Sequence, residues 1–289
     1  MANAPVLAVI GGSGLYEFSA LTDTETYDVD TPFGKPSTPV VIGKIGDKTV
    51  AFLARHGIGH HILPTEINNR ANIYALKSLG VKRILGVSAC GSLRLDYAPG
   101  EIILPDQLID FTRQRANSFF GEGLVAHIGS ADPFCSDLSA MAFQALNQTG
   151  ATVHRGGTLI TIEGPRFSTK GESHLFRSWG ISIIGMTTSP EAFLAREAEM
   201  CYSAVAHVTD YDVWHSSEEP VSVEMVIRTL QQNTHLIQDA IVGLVKSLPA
   251  ETHCDCEHAL EKAILTRKDR IPAETRQKLG LWVEKYLAS

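Results

Sequence analysis

Short apolar runs bounded by Gly, Pro and acidic residues recur along the chain, separated by stretches with helical spacing. The runs at 6–10, 40–45, 50–53, 83–88, 101–109, 158–162 and 181–186 have the length and composition of buried strands. Gly46-Asp47 between the second and third predicts a hairpin. Ile73, Ala75, Leu76 and Leu79 predict a helix over 68–79, stopped by Gly80. An amphipathic helix is expected over 136–148. Another runs from Ser189, as N-cap before Pro190 at the first helical position, to about Met200. Residues 221–246 predict a long helix with Val223, Val226, Ile227 and Leu230 on one stripe, whose first turns could close an apolar pocket. Two terminal helices are expected over 257–265 and 273–287. Residues 113–131 lack a period, and irregular segments of that length are usually functional or inter-subunit. The alternation is continuous, without repeat or linker, so the reading is α/β with one domain over 1–289.

The apolar run at 202–206 leads into Thr209-Asp210-Tyr211-Asp212. Residues two apart in an extended chain point the same way, so Asp210 and Asp212 are expected on one side. Two carboxylates just past a buried strand repel each other unless one is protonated or both face a donor ligand. Adenine meets that need, with its N7 acceptor beside the N6 amino donor. A solvated acidic turn is an equally good reading of this stretch alone.

Other strand ends carry candidate anion ligands. Gly11-Gly12-Ser13-Gly14 follows the first strand, where small residues let backbone N–H groups approach an anion. Glu17 stands where a dinucleotide fingerprint needs its third Gly, and no Gly-Lys-Ser/Thr follows, so the loop suits a small phosphate or a plain turn. Arg55 and His56, with His60 and His61 nearby, sit where a strand gives way to glycine. The Arg fork suits phosphate. A second small-residue turn, from Ala89 to Leu93, follows the strand that ends at Ser88. Thr187 precedes a helix N-terminus, a favourable place for phosphate. Phe167, in a Gly-Pro loop, is either a purine-stacking ring or a core plug.

Composition narrows the classes. The 289 residues are 44% apolar and 20% charged, a globular balance. The net charge of −7 and the lack of a Lys/Arg-rich block argue against a nucleic-acid partner. No apolar run approaches the roughly 20 residues that span a bilayer, and no basic-then-apolar leader opens the chain, so a cytoplasmic protein is expected. Five scattered cysteines do not make a disulfide scaffold. Cys254 and Cys256 form Cys-x-Cys, but no second Cys/His pair at a usual spacing completes four ligands, so no metal is expected. A disulfide using one of them is more plausible than a metal, and surface thiols without a role are the simplest reading.

Seven segments in order resemble the nucleoside phosphorylase family, most closely its methylthioadenosine-cleaving branch: IGGSGL from Ile10, DTPFGKPS from Asp30, ARHG from Ala54, ACGSL from Ala89, EGPRFS from Glu163, MTTSPE from Met186 and TDYDVW from Thr209. Each is weak alone; together they span nearly the whole chain. The resemblance implies a central mixed β-sheet flanked by helices. It also implies phosphorolysis of methylthioadenosine to adenine and 5-methylthioribose 1-phosphate, with phosphate as co-substrate and no cofactor. It carries phosphate binding to Ser13, Arg55, His56, Ser88, Ala89 and Thr187. Met186 would lie under the ribose, Phe167 and Ser168 against the base, and Val223 with Val226 around the methylthio group, to which Ile264 or Leu265 would add. Asp210 would protonate or hydrogen-bond N7 and Asp212 would hold the N6 side. His127 would reach a neighbouring subunit's site in a trimer or dimer of trimers. The Cys-x-Cys pair resembles that of some archaeal members, where it would be a stability feature. Two rival readings remain: a 6-oxopurine phosphorylase, for which an Asn and Glu pairing around the base would be expected, and a non-catalytic nucleoside sensor, for which a phosphate set would be superfluous.

Overall fold

The computed structural model describes residues 4–12, 18–215 and 223–287. Its strands are β1 (Leu7–Gly11), β2 (Thr22–Tyr27), β3 (Val40–Ile45), β4 (Lys48–Ala54), β5 (Arg83–Ser92), β6 (Ile102–Leu104), β7 (Gln107–Phe111), β8 (Val153–Arg155), β9 (Thr158–Ile162), β10 (Ile183–Gly185) and β11 (Cys201–Asp210). The helices are α1 (Asn69–Ser78), α2 (Ser136–Asn147), α3 (Lys170–Ser178), α4 (Thr188–Glu197), α5 (Val223–Ser247) and α6 (Ala273–Leu287). The strands form one mixed sheet in the order β2-β3-β4-β1-β5-β10-β9-β7, with β11 on β5 and β6, and β8 on β6. Gly46-Asp47 joins β3 to β4 as expected, with Ile45 opposite Lys48 and Gly46 at φ 63°.

Both faces of the sheet are covered, which explains the unbroken apolar runs. Alternate residues of β1 go to opposite cores. Ala8 and Ile10 join Ile73, Leu76, Leu194 and Val283 from α1, α4 and α6. Leu7 and Val9 join Leu138, Leu146, Ile241 and Leu244 from α2 and α5. Burying one such aliphatic side chain contributes about 1.5–3 kcal/mol.

β5 is the hub. Its residues 84–86 pair with β1 and its residues 91–92 pair with β10, while β11 runs along the other side. Between β1 and β10, no described strand pairs with that edge of β5 at residues 87–90. The sheet splays there, and the splay opens the cleft described below.

Several expectations need correction. The Ala89–Leu93 stretch is not a turn: β5 continues through Ser92 because β11 and β10 supply partners. The run at 101–109 is two strands, broken at Pro105, where the missing N–H cannot serve a ladder. β6 then pairs with β8 and β11, whereas β7 pairs with β9. Residues 257–265 are not an α-helix; a 3-10 turn at Asp255–His258 is followed by turns. β2, β8 and α3 were not foreseen. β2 is almost entirely exposed and shows no apolar alternation. α3 is polar but opens with a capping box between Thr169 and Glu172, a signal present in the sequence.

Candidate active site

A cavity of about 570 Å³ opens in the splay, at the carboxyl ends of β1, β4, β5, β10 and β11. This is where open α/β sheets bind ligands. Arg55, His56, Ser88, Ala89, Phe167, Ser168, Met186, Thr187, Asp210, Asp212 and Val226 all line it, so eleven scattered candidates converge. Ser13 lies outside the described residues, as does the side chain of Val223 at the start of α5. His127 does not line the cavity; it is exposed, and its N–H donates to Ala263 O at 2.9 Å. Ile264 and Leu265 do not line it either.

One end gathers Arg55, His56, Ser88, Ala89 and Thr187, the residues expected to hold an anion. Arg55 is buried, but its fork is turned onto Glu191: Nε donates to Oε2 at 2.7 Å and Nη2 to Oε1 at 2.8 Å. Nη1 and Nη2 also donate to Val87 O and Ile10 O. Tyr202 Oη donates to Glu191 Oε1 at 2.6 Å. A Cβ on Gly86 would stand 1.9 Å from Tyr202 Oη, so this network requires glycine in the strand. The forked grip expected on phosphate is therefore made on a protein carboxylate, and Arg55 braces β1, β5 and α4 beneath the cavity floor.

His56 Nδ1 lies 2.9 Å from Ile62 O, an acceptor, so the ring proton sits on Nδ1 and Nε2 is left as an acceptor. Burial, and then the Arg55 charge, push its pKa down to about 4, so the imidazole is neutral. Ser189 is extended (φ −101°, ψ 139°), so the regular helix starts at Pro190 as foreseen. Its hydroxyl, however, caps nothing and has no partner among the described residues.

The opposite end holds the two acids. Asp210 ends β11 and is buried, with Thr209 Oγ1 2.6 Å from Oδ2. Asp212 is not in the strand. It stands at φ 51° in a turn, and its N–H donates to Asp210 Oδ1 at 2.8 Å. The pair faces one way because the chain folds back on the first carboxylate, not because strand alternation continues. Trp214 pins the turn by donating from Nε1 to Ser92 O, with the Arg177 guanidinium 3.3 Å over its ring. Burial raises the Asp210 pKa to about 6, against the hydrogen bonds from Thr209 and the Asp212 N–H. Burial also raises that of Asp212, while the nearby Ser173 and Ser168 hydroxyls pull it down. Asp212 Oδ2, Ser168 Oγ and Ser173 Oγ are buried and make no hydrogen bond of normal distance and angle among the described residues, although the two hydroxyls are near enough to stabilise the Asp212 charge. Such groups are costly unless a ligand satisfies them.

Sequence reasoning missed several residues. Nothing local pairs Arg55 with Glu191, 136 positions away. Arg115, from the irregular segment, ties three loops together by donating to Met186 O, Ser189 O and Glu163 O. Leu230, already on the expected stripe, lines the cavity, and so do Thr234 and Ile237, which that stripe did not include. They continue the helical stripe of Val226, so extending that stripe would have found them. The expectation of no complete metal-ligand set fails as well. Cys135 and Cys201 join Cys254 and Cys256, with all four sulfurs within 4.8 Å of one another.

A sequence model of the phosphorylase superfamily matches residues 6–246. The S-methyl-5'-thioadenosine phosphorylase of Geobacter sulfurreducens is 53% identical over 98% of this chain and 99% of its own length. That of Thermosynechococcus vestitus is 52% identical over 97% and 99%. A methylthioadenosine phosphorylase from an antarctic soil metagenomic library superposes with a TM-score of 0.92 at 43% identity, covering 97% of this chain and 99% of that one. The methylthioadenosine phosphorylase of Schistosoma mansoni, in complex with adenine, gives 0.82 at 38% identity, with coverage of 86% and 93%.

Proposed function

This chain belongs to the phosphorylase superfamily, and we propose that it cleaves S-methyl-5'-thioadenosine with phosphate, releasing adenine and 5-methylthioribose 1-phosphate. The observation that carries the substrate is the acid pair: two buried carboxyls with raised pKa values, beside unsatisfied hydroxyls, in one apolar cleft with a histidine-bearing anion end. Similarity to enzymes of that name over nearly the whole chain supports it.

Phosphate sits between His56, Ser88 and Thr187, with the Arg55–Glu191 pair fixing the wall beneath. The neutral His56 Nε2 accepts the proton of a phosphate hydroxyl. A phosphate oxygen attacks C1′ as the bond to the base breaks. Positive charge builds on the sugar, and the phosphate stabilises it. Negative charge builds on the purine, and Asp210 gives its proton to N7. With a pKa of about 6, about a tenth of Asp210 is protonated at neutral pH. Asp212 accepts from the N6 amino group, Phe167 and Ser168 close on the base, and Met186 lies under the ribose. Val226, Ile227 and Leu230 give the 5′ end an apolar wall that suits a methylthio group. Such a wall rejects an added hydroxyl only about a hundredfold, so adenosine is a slow substrate.

His127, exposed beside the 126↔264 bridge, completes a neighbouring subunit's site in a trimer or pair of trimers. Light scattering of the purified chain, with a His127→Ala variant that raises KM at unchanged mass, tests that assignment. The raised pKa of Asp212 favours one rival, since a protonated Asp212 could donate to a 6-oxo group. The deciding experiment measures base release from methylthioadenosine, methylthioinosine, adenosine and inosine, with and without phosphate. Phosphate-dependent adenine release, fastest from methylthioadenosine, is expected. Faster hypoxanthine release would reassign the acid pair, and no release from any of the four would leave a nucleoside-binding protein.

A further inference from the structure

The cysteines lie far from this chemistry. Cys201 opens β11 and Asp210 ends it, a separation of about 30 Å at roughly 3.3 Å per strand residue. Three separate pieces of chain bring four thiols together at that remote end. Cys135 precedes α2, Cys201 starts β11, and Cys254 and Cys256 flank the start of the 3-10 turn after α5. Cys135, Cys201 and Cys256 are buried, and Cys254 is partly buried. The sulfurs of Cys201 and Cys254 are 3.2 Å apart, and every pair lies within 4.8 Å.

We propose that Cys135, Cys201, Cys254 and Cys256 form a tetrathiolate site for a structural zinc ion. Four sulfurs about 2.3 Å from a tetrahedral zinc stand about 3.8 Å from one another, within the range that these four occupy. Two disulfides would require only two close pairs, not four sulfurs gathered around one point. The surroundings suit thiolates. The Cys135 sulfur accepts from the Leu138 N–H at 3.5 Å at the α2 N-terminus, a contact that favours a thiolate. Arg196 Nη1 lies 3.5 Å from Cys256 Sγ and offsets part of the negative charge of the loaded site. On binding, four S–H groups release their protons to solvent and four S–Zn bonds form, so affinity falls with acidity. With four protein ligands the ion has no open position for substrate. Its role is to tie the segment after α5 to the sheet.

The test uses the full chain, tag-free, expressed with zinc and purified without oxidant. Elemental analysis is expected to find about one zinc per chain, with a denatured mass of five reduced cysteines. Replacing zinc by cobalt is expected to give the intense visible spectrum of tetrahedral cobalt thiolate. Chelation should lower Tm while leaving KM for methylthioadenosine unchanged in the surviving enzyme. Cys135→Ser and Cys254→Ser should each lose the ion, whereas Cys90→Ala should keep it. Because a Cys→Ser chain could fail to fold, cobalt uptake by the unmutated chain is the decisive measurement. A reduced chain that binds neither metal, or a denatured mass lighter by hydrogen pairs, would overturn the proposal, and the latter would assign disulfides instead.

Discussion

One buried acidic centre, Glu191, lies behind the cavity wall and another, Asp210 with Asp212, lines the cavity, and their hydrogen bonding differs. Both oxygens of Glu191 are filled, by the Arg55 fork and by Tyr202. Asp210 and Asp212 hold each other through one N–H and keep Oδ2 of Asp212, with two neighbouring hydroxyls, unmatched among the described residues. Burial alone does not mark a functional acid. A carboxylate whose partners are all protein groups is scaffold, and one left incomplete is poised for a ligand. The same comparison shows Arg55 holding a protein carboxylate with its fork while it also lines the cavity.

The sharpest break in this comparison is Asp210→Asn. It removes the proton donor, so kcat is expected to fall by about 10²–10⁴, the usual worth of a positioned general acid. Stability should move the other way. Burial raises the Asp210 pKa to about 6, so the folded state holds this proton more tightly than the unfolded chain. The benefit is fully present below the unfolded carboxyl pKa and is lost as pH rises through about 6. At pH 7.5 the buried charge is a cost that Asn avoids, and thermal unfolding should show Tm raised by about 2–4 °C, as expected for 1 kcal/mol. In the unmutated enzyme, kcat/KM should fall about tenfold per pH unit above that pKa.

Glu191→Ala should do the reverse. It leaves the Arg55 guanidinium buried and unpaired, and denaturant unfolding should show a loss of about 3–5 kcal/mol. If activity were lost with stability unchanged, Arg55 and Glu191 would have to be moved from scaffold to ligand contacts. Asp212→Asn should have a smaller effect. Trading an acceptor for a donor at the N6 side should shift the adenine-to-hypoxanthine preference by about 10–100-fold, read from competing release of the two bases. Gly91→Ala should be milder still. Its Cβ would lie 3.0 Å from Asp210 Oδ1 and 3.1 Å from Ile184 Cγ2, nudging the acid. A loss of kcat of about tenfold is expected, from displacement well under the 1 Å that costs a hundredfold.

Much of this site could be read from strand ends. Arg55, His56, Ser88, Thr187 and Asp210 each follow or end an apolar run; the parallel strands β4, β1, β5 and β11 gather four of these, and β10, antiparallel to β5, brings Thr187 to them from the other side. Asp212 was also found, but for the wrong reason, since its direction comes from a positive-φ turn bonded to Asp210. Glu191, Arg115 and Ser173 were not legible, because no local pattern announces a partner 48 to 136 residues away or a hydroxyl on a polar helix. The continuation of β5 through Ser92 was hidden because small residues resemble a turn until β10 and β11 supply partners.

Local physics therefore fixed the periodic elements, the two-sided burial of the central strands and the residue types that meet at the sheet edge. Those depend on side-chain period, propensity and turn chemistry, which act over a few residues. Tertiary structure decided which buried charges are satisfied, how far β5 extends, and that four cysteines from three segments meet at one point. Such outcomes depend on contacts between residues distant in sequence, where the free energy of a group is set by what the rest of the chain brings against it.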